Sequence, residues 1–268
     1  MPSFPLFNWF RTSGASTGCR TGLSTRASLD EAVKDVADQI GQRSGSADLA
    51  LVFVSTGYAS DFPRLMPMLR SRIKAKHWIG CAGGGVIGTR SDGTASEMEK
   101  SPALSVSLLK LPGVEIETRS LSTAQLPDLD GAAQNWQDWV GIPPTQSRSQ
   151  IVLIDPTSSG INDLISGLDY AYPSTDKLGG IAAPHNNSHG SLFFDDQVTS
   201  GAVVCSIGGD WCLDPVVAQG CRPIGPVFSI EQVQRNVLLE LSDGSNKASP
   251  VSCLQRVLAD LSDAERDL

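Results

Sequence analysis

The amino-acid sequence predicts an α/β fold built from an internally duplicated strand-helix-strand-strand-strand unit. Apolar runs of strand length alternate with segments whose apolar residues recur at helical spacing. The order of these elements then repeats at an offset of roughly 100 residues. Positions that correspond in the two copies are Val52 and Val152, Gly80 and Gly179, and Val106 and Val204. We expect the two copies to pack as two sheets or to form one mixed sheet, with the strand-end loops facing a shared cleft.

The first copy begins with a strand near residues 19–24 and a helix over 29–40. Ser28 and Glu31 form a capping-box pattern at the start of this helix. The uninterrupted apolar run at 49–54 predicts a strand covered on both faces. A helix over 61–73 follows, and Pro67 inside it predicts a kink or a break. Three further strands are expected, at residues 77–81, 103–109 and 114–118.

The second copy repeats this order after a connecting segment, 126–149, which contains Trp136 and Trp139 and is expected to link or buttress the copies. Strand-sized apolar runs and one helical pattern predict the remaining elements. They are a strand at 151–154, a helix at 160–170, and strands at 178–181, 201–207 and 211–217.

Composition excludes several classes of protein. The 268-residue chain is 40% hydrophobic and 19% charged, as ordinary globular proteins are. Its formal net charge of -8, without clustered Lys or Arg, argues against a nucleic-acid partner. No apolar run is long enough to span a membrane. The six cysteines show no metal-ligand or CxxC spacing, so we expect no disulfide framework, no metal site and a reducing, cytoplasmic location. The first 29 residues carry arginines but no acid, as transit peptides do; a flexible segment over 1–18 is the preferred interpretation.

Three short stretches resemble the FIST family of sensory domains, which occurs in bacterial signal-transduction proteins and in some eukaryotic F-box proteins. They are WIGCAGGGVIG at residues 78–88, LGGIA at 178–182 and QGCRPIGP at 219–226. The resemblance covers roughly residues 20–268. It implies a FIST N-like domain over 19–217, with repeats at about 19–125 and 150–217, and the beginning of a truncated FIST C-like domain over 218–268.

The resemblance implies a non-catalytic, intracellular sensory or adaptor module that binds a small ligand, such as an amino acid or a similar metabolite. A signalling protein is the expected partner, and no cofactor is expected. The candidate ligand-binding residues are Cys81, Gly83, Gly84, His185, Asn186, Gln219, Cys221 and Arg222.

Cys221 and Arg222 leave two alternatives open. The guanidinium of Arg222 suits a carboxylate or phosphate ligand, and it suits a structural salt bridge equally well. A neighbouring guanidinium also lowers a thiol pKa, which keeps a cysteine-dependent acyl-transfer enzyme as an alternative. That enzyme needs a base, and none of the three histidines lies in a cysteine-hydrolase signature.

The remaining polar motifs have both functional and structural interpretations. His185 and His189 are possible haem or metal ligands, and a haem-binding, nitric-oxide-sensing branch of the FIST family keeps that alternative open. Their segment reads as a loop, however, so their spacing predicts no coordination geometry. Residues 83–85 are glycines without the Lys and Ser/Thr of a P-loop. Asp155 follows a strand end, where ligands of open sheets gather, and Ser158 or Ser159 is a candidate N-cap.

Overall fold

The computed structural model describes residues 17–41, 46–217 and 223–266. The chain divides into two units, the first ending at Pro215 and the second beginning at Val216. The described part of the first unit contains two large sheets, a two-stranded hairpin and four α-helices. Its elements in chain order are β1 (Gly18–Ser24), α1 (Leu29–Ile40), β2 (Ala47–Ser55), α2 (Phe62–Arg72), β3 (Ala75–Gly83), β4 (Gly85–Thr89), β5 (Ala95–Glu99), β6 (Leu104–Lys110), β7 (Val114–Leu121), α3 (Ala133–Val140), β8 (Ser149–Ile154), α4 (Ile161–Ala171), β9 (Asp176–Ile181), β10 (Leu192–Phe194), β11 (Gln197–Thr199) and β12 (Ala202–Gly209).

Both sheets are mixed, which confirms the predicted α/β class. The first sheet has the strand order β1-β6-β2-β3-β10-β11, and the second has the order β7-β12-β8-β9. Among the described strands of these sheets, only the pairs β2–β3 and β8–β9 are parallel. The hairpin β4–β5 forms a small sheet of its own.

The two sheets pack face to face, and the helices cover their outer faces. Leu49 and Ile79 of the first sheet share an apolar layer with Leu153 and Val203 of the second. Helices α1 and α2 bury their apolar faces on the first sheet, and α3 and α4 bury theirs on the second. Of the two arrangements expected from the sequence, the structure therefore has two packed sheets rather than one.

The central strands have matching registers in the two sheets. Val52 pairs with Gly80 and Val106, while Val152 pairs with Gly179 and Val204. A Cβ atom at Gly80 would collide with the carbonyl oxygen of Val52, and one at Gly179 would collide with that of Val152. Glycine is therefore required at both positions because the neighbouring backbone approaches so closely. The registers agree with the positions matched in the sequence, and the duplication itself stays a prediction.

Most of the expected elements are present. Helix α1 spans the predicted residues, and the side chain of Ser28 accepts a hydrogen bond from Glu31 N at 3.3 Å, as the capping box predicts. Helix α2 continues through Pro67 as one element, so the expected break is absent. The connecting segment contains α3, whose Trp136 is fully buried against Gly167 of α4.

One predicted strand has a partner that the sequence did not specify, and another is absent from the described part of the chain. The strand predicted at 114–118 is present as β7, and it pairs with β12 in the second sheet. The strand expected at 211–217 is irregular, because β12 ends in a turn at Gly209 (φ 66°). Its apolar side chains reflect packing beyond the sheet: Trp211 and Leu213 lie against the inter-sheet layer. Trp211 Nε1 donates to Pro112 O at 2.8 Å.

The second unit contains one small antiparallel sheet and two short helices. Its elements are β13 (Ser229–Gln234), β14 (Val237–Ser242), β15 (Lys247–Ala248), α5 (Pro250–Ala259) and α6 (Asp263–Arg266). The assignment of residues 218–268 to the start of a FIST C-like domain stays a prediction. Among the described residues, no helix is both long and apolar enough to cross a bilayer.

Candidate functional site

The carboxyl ends of the two parallel strand pairs are joined by the segment 182–191. Ala182 N donates to Ile154 O at 2.9 Å, at the end of β8. Ala183 N donates to Ala82 O at 2.8 Å, and Ala82 N donates to Ser191 O at 2.8 Å, at the end of β3. Ligands of open α/β sheets bind beyond the carboxyl ends of the strands, so the surroundings of this segment are the natural place for a site.

The buried Asp155 connects the end of β8 to the segment 182–191 through hydrogen bonds. Its side chain is only 1% exposed. Oδ1 accepts from Thr157 N at 2.9 Å and from Thr157 Oγ1 at 2.6 Å, and Oδ2 accepts from Ser191 N at 2.7 Å. Burial raises the pKa of Asp155, but the hydrogen bonds from Thr157 and Ser191 outweigh burial and hold the pKa below its usual value. Asp155 is therefore an ionised anchor that joins the end of β8 to the segment 182–191.

An open cleft of about 450 Å³ lies beside Asp155. Its walls come from the end of β7, the loop between β8 and α4, and the turn between β11 and β12. Eight of its eleven lining residues carry a hydroxyl, and none of the eleven is charged. The lining consists of Ser120, Leu121, Ser122, Thr123, Ala124, Thr157, Ser158, Ser159, Thr199, Ser200 and Gly201. Its volume lies within the range of small-molecule sites.

Four hydroxyls of the cleft are held by hydrogen bonds, and the other four, on Ser122, Thr123, Ser159 and Ser200, make none within the described part of the chain. Ser158 Oγ donates to Gly201 O at 3.0 Å, and Ser120 Oγ lies 3.2 Å from Thr199 Oγ1. Thr123 is only 7% exposed as a residue, but its hydroxyl makes no hydrogen bond to any residue that the structure describes and stays accessible from the cleft. A ligand or water in the cleft can therefore pair with it.

The electrostatics of the cleft favour neutral or zwitterionic ligands. The lining has no charge of its own, and the carboxylate of Asp155 lies directly behind Thr157. This buried negative charge opposes an isolated anion in the cleft. Hydroxyl groups both donate and accept hydrogen bonds, so the lining can pair with either kind of ligand atom.

The start of α4 corrects one expectation. Its N-cap is Gly160, in the left-handed conformation, and no side chain caps the helix. Neither Ser158 nor Ser159 is therefore the N-cap, although the sequence predicted that one of them would be. Ser158 instead uses its hydroxyl to reach Gly201 across the cleft, which leaves the first turn of α4 without a side-chain acceptor.

Cys81 lies in the apolar layer between the sheets and does not line the cleft. Burial raises its pKa to about 11, so the thiol is protonated at neutral pH. Cys205 of β12 lies in the same layer, and burial raises its pKa to about 12. Both thiols have the character of structural cysteines rather than nucleophiles.

The other predicted residues at the end of β3 and in the segment 182–191 also lie outside the cleft lining. Gly83 ends β3, and Gly84 separates it from β4. Asn186 is exposed in the irregular segment, as the loop prediction required. The role of these residues in ligand binding stays a prediction.

His185 and His189 pack together against α2. Their ring centroids are 4.9 Å apart and lie 5.3 and 5.6 Å from that of Phe62. His185 Nε2 and His189 Nδ1 both lie within reach of Gly190 O, at 3.3 and 3.1 Å. No group of three His, Cys, Asp or Glu side chains within the described ranges is arranged to hold a metal ion.

Gln219, Cys221 and Arg222 lie outside the described residues, so their predicted roles stay predictions. The sequence-based choice also missed most of the cleft, namely Ser120–Thr123 and Thr199–Gly201. A signal for them exists: short runs of Ser and Thr follow β7, β8 and β11, each at a strand end. Such runs are common in loops, so they become informative only once the topology brings them together.

Comparison with known proteins gives the family. A sequence model described as the FIST N domain matches residues 48–244. Two proteins of Mycobacterium tuberculosis, "Uncharacterized protein MT0656" of strain CDC 1551 / Oshkosh and "Uncharacterized protein Rv0628c" of strain H37Rv, are each 24% identical over 253 residues. The matched region covers 94% of this chain and 61% of each relative. Because the domain match spans more than half of the sequence, the chain belongs to the FIST family.

Proposed function

We propose that this chain is a non-catalytic sensory module that binds a small polar ligand in the hydroxyl-lined cleft. Membership of the FIST family supports a role in signal transduction. The observation that carries the proposal is the cleft itself: about 450 Å³, no charged side chain, and eight hydroxyls, of which four make no hydrogen bond among the described residues.

An amino acid or a similar metabolite fits this lining best. The carboxylate of an amino acid would accept hydrogen bonds from Ser and Thr hydroxyls, and its ammonium group would donate to hydroxyl or carbonyl oxygens. A zwitterion has no net charge for Asp155 to oppose, and its ammonium group would be attracted by that carboxylate.

The hydrogen bonds around the cleft also supply a route from ligand to protein. Thr157, which lines the cleft, shares Asp155 with Ser191 of the segment 182–191. Ser191 O in turn accepts from Ala82 N at the end of β3. A ligand that moves Thr157 would therefore act on the contact between the two sheets.

A thermal-shift screen with amino acids, polyols and small organic acids tests the proposal. A ligand present at one hundred times its dissociation constant should stabilise the protein by about 2.7 kcal/mol. Thr123→Val keeps the side-chain shape and removes the hydroxyl, so it should reduce the shift. Thr89→Val, in β4 and outside the cleft, is the matched control and should leave it unchanged. A screen without any shift, or equal shifts in both variants, contradicts the proposed site.

A further inference from the structure

The two parallel strand pairs differ at their outer edges. In the first sheet, β3 lies between β2 and β10, whereas β9 is the last strand of the second sheet. Gly80 of β3 and Gly179 of β9 hold the same register position relative to β2 and β8. On the first sheet, Phe193 of β10 pairs opposite Gly80. On the other side of β9, away from β8, no described strand pairs with Gly179.

The side chains beside these edges show what β10 covers. Phe193 is fully buried, with its ring centroid 5.2 Å from that of Phe62 in α2. Met66 of α2 is 0% exposed. Ile165 holds the corresponding place, fifth in the eleven-residue helix α4, and is 45% exposed.

An apolar groove of about 190 Å³ lies between β9 and α4. Its apolar lining includes Val152, Ile154, Ile165, Leu168, Leu178 and Ile181. Lys177 also contributes, but its ammonium group donates to Tyr172 O at 2.8 Å and Thr175 O at 2.9 Å and pairs with Asp169 at 3.1 Å. The groove therefore presents an apolar surface.

The backbone of β9 is also available along this edge. Ala182 N donates to Ile154 O, toward β8. Because backbone groups alternate in direction along a strand, the N–H and C=O groups of Gly179 and Ile181 point away from β8. Ala82 N, at the corresponding place after Gly80, donates to Ser191 O. An unpaired strand edge of this kind is a template for another strand.

We propose that the edge of β9 docks an extended strand of a partner protein, which places one aromatic side chain in the groove between β9 and α4. The protein's own β10 shows the chemistry of the occupant: an antiparallel Leu-Phe-Phe segment whose middle side chain fills the equivalent space in the first sheet. Such strand addition combines backbone hydrogen bonds with a side-chain pocket. The proposal goes beyond ligand binding, because it gives the sensory module a surface for its output.

A second copy of this chain suits the edge less well. Strand β9 contains no aromatic residue, so pairing between two β9 edges would leave the groove unfilled. The β10 strand of a second copy is already paired with its own β3. A strand from a different protein is therefore the occupant that we propose.

Fluorescence anisotropy with the full chain tests the proposal. The probe is a labelled peptide with the sequence of residues 190–200, GSLFFDDQVTS, and the control peptide carries Phe193→Ser. We expect saturable binding of the first peptide and binding weaker by about tenfold or more for the second, which is about 1.4 kcal/mol.

Variants of the protein locate the binding to β9. Ile165→Glu places a charge in the groove, and Ile181→Pro removes an outward N–H without removing a hydrogen bond to β8. Each should weaken binding about tenfold or more. Ile87→Glu, at an exposed isoleucine of β4, is the matched control and should bind as the wild type does. Melting curves establish that each variant is folded.

Three outcomes overturn the proposal. The first is no saturable binding at millimolar peptide, and the second is unchanged affinity in Ile165→Glu and Ile181→Pro. The third comes from sedimentation without peptide: a dimer that Ile181→Pro dissociates would identify a second copy as the occupant.

Discussion

The two sheets of the first unit share a pattern of strand pairing but differ at the edge beside the parallel strand. Both contain an antiparallel strand, a central strand and a parallel strand joined in the same register. In the first sheet, β10 closes the parallel edge and Phe193 fills the space beside α2. In the second, that edge is open, and Ser/Thr-rich loops form a polar cleft at the strand ends. The comparison teaches that the chain fills the parallel edge of its first sheet itself, whereas the second sheet leaves exposed the edge and the cleft that we propose as binding surfaces.

Truncation of the two apolar edges should give the largest difference. Phe193→Ala removes a fully buried ring and should lower the free energy of unfolding by about 3 to 5 kcal/mol. Ile165→Ala affects a half-exposed side chain and should lower it by less than about 1 kcal/mol. Urea unfolding measures both. Equal losses would contradict the view that only the first edge is filled.

The two register glycines sharpen the comparison further. Alanine at Gly80 or Gly179 would force the backbone away from the facing valine carbonyl. Overpacking of this kind lowers the free energy of unfolding by about 1 to 3 kcal/mol. We expect the larger loss in Gly179→Ala, because the added Cβ would lie closer to Val152 O than a Cβ at Gly80 would lie to Val52 O, and because Gly179 has a φ of 158° that side-chain-bearing residues rarely adopt. A larger loss at Gly80, in the same urea assay, would show that outward movement of the edge strand β9 relieves the collision.

Acid should weaken the second sheet through Asp155. Because the pKa of Asp155 is lowered in the folded protein, its stabilising effect is complete above the unfolded value of about 3.9. The effect is lost as pH falls through the folded value. Asp155→Asn should therefore lower the free energy of unfolding by about 1 to 3 kcal/mol at pH 7, and by less at pH 3.

Ser55 provides the control for this pH dependence. It ends β2, and its hydroxyl accepts from Ala103 N at 2.9 Å, a contact that does not titrate in this range. The loss in Ser55→Ala should be the same at both pH values. A loss in Asp155→Asn that does not change with pH would show that the Asp155 side chain acts without its charge.

Thiol labelling should give the smallest difference between the sheets. Cys81 and Cys205 lie in one shared apolar layer, and burial raises both pKa values. Both should react slowly with a maleimide at pH 7, while the exposed Cys19 and Cys212 react fast. Mass spectrometry of peptides resolves each site. Fast labelling of Cys81 in the folded protein would contradict its assignment as a structural thiol.

The sequence predicted the structure best where the spacing of residues along the chain determines which neighbours they contact. The α1 capping box and the corresponding valines and glycines of the central strands could be found without coordinates, because local geometry and strand packing leave a pattern. Pairing between distant strands leaves none, which is why the sequence did not show that β7 pairs with β12 in the second sheet. The apolar residues Trp211 and Leu213 resembled a strand in the sequence, but they are apolar because they pack against the layer between the sheets.

The cleft was harder to predict for a related reason. Thr123, Ser158 and Ser200 lie in three loops that are distant in the sequence, and only the order of the second sheet brings them together. The sequence-based prediction selected glycine-rich and cysteine-containing motifs as the ligand site instead. Among them, Gly80 and Gly179 accommodate the approach of the neighbouring strand, and Cys81 belongs to the layer between the sheets.

Hydrogen exchange with and without the best ligand from the thermal screen tests the central claim most directly. If the ligand binds in the hydroxyl-lined cleft, amide exchange should slow at residues 120–124, 157–159 and 199–201 together, and Thr123→Val should weaken this protection. Protection confined to residues 81–84 and 185–186, with no change in the three cleft segments, would contradict the account.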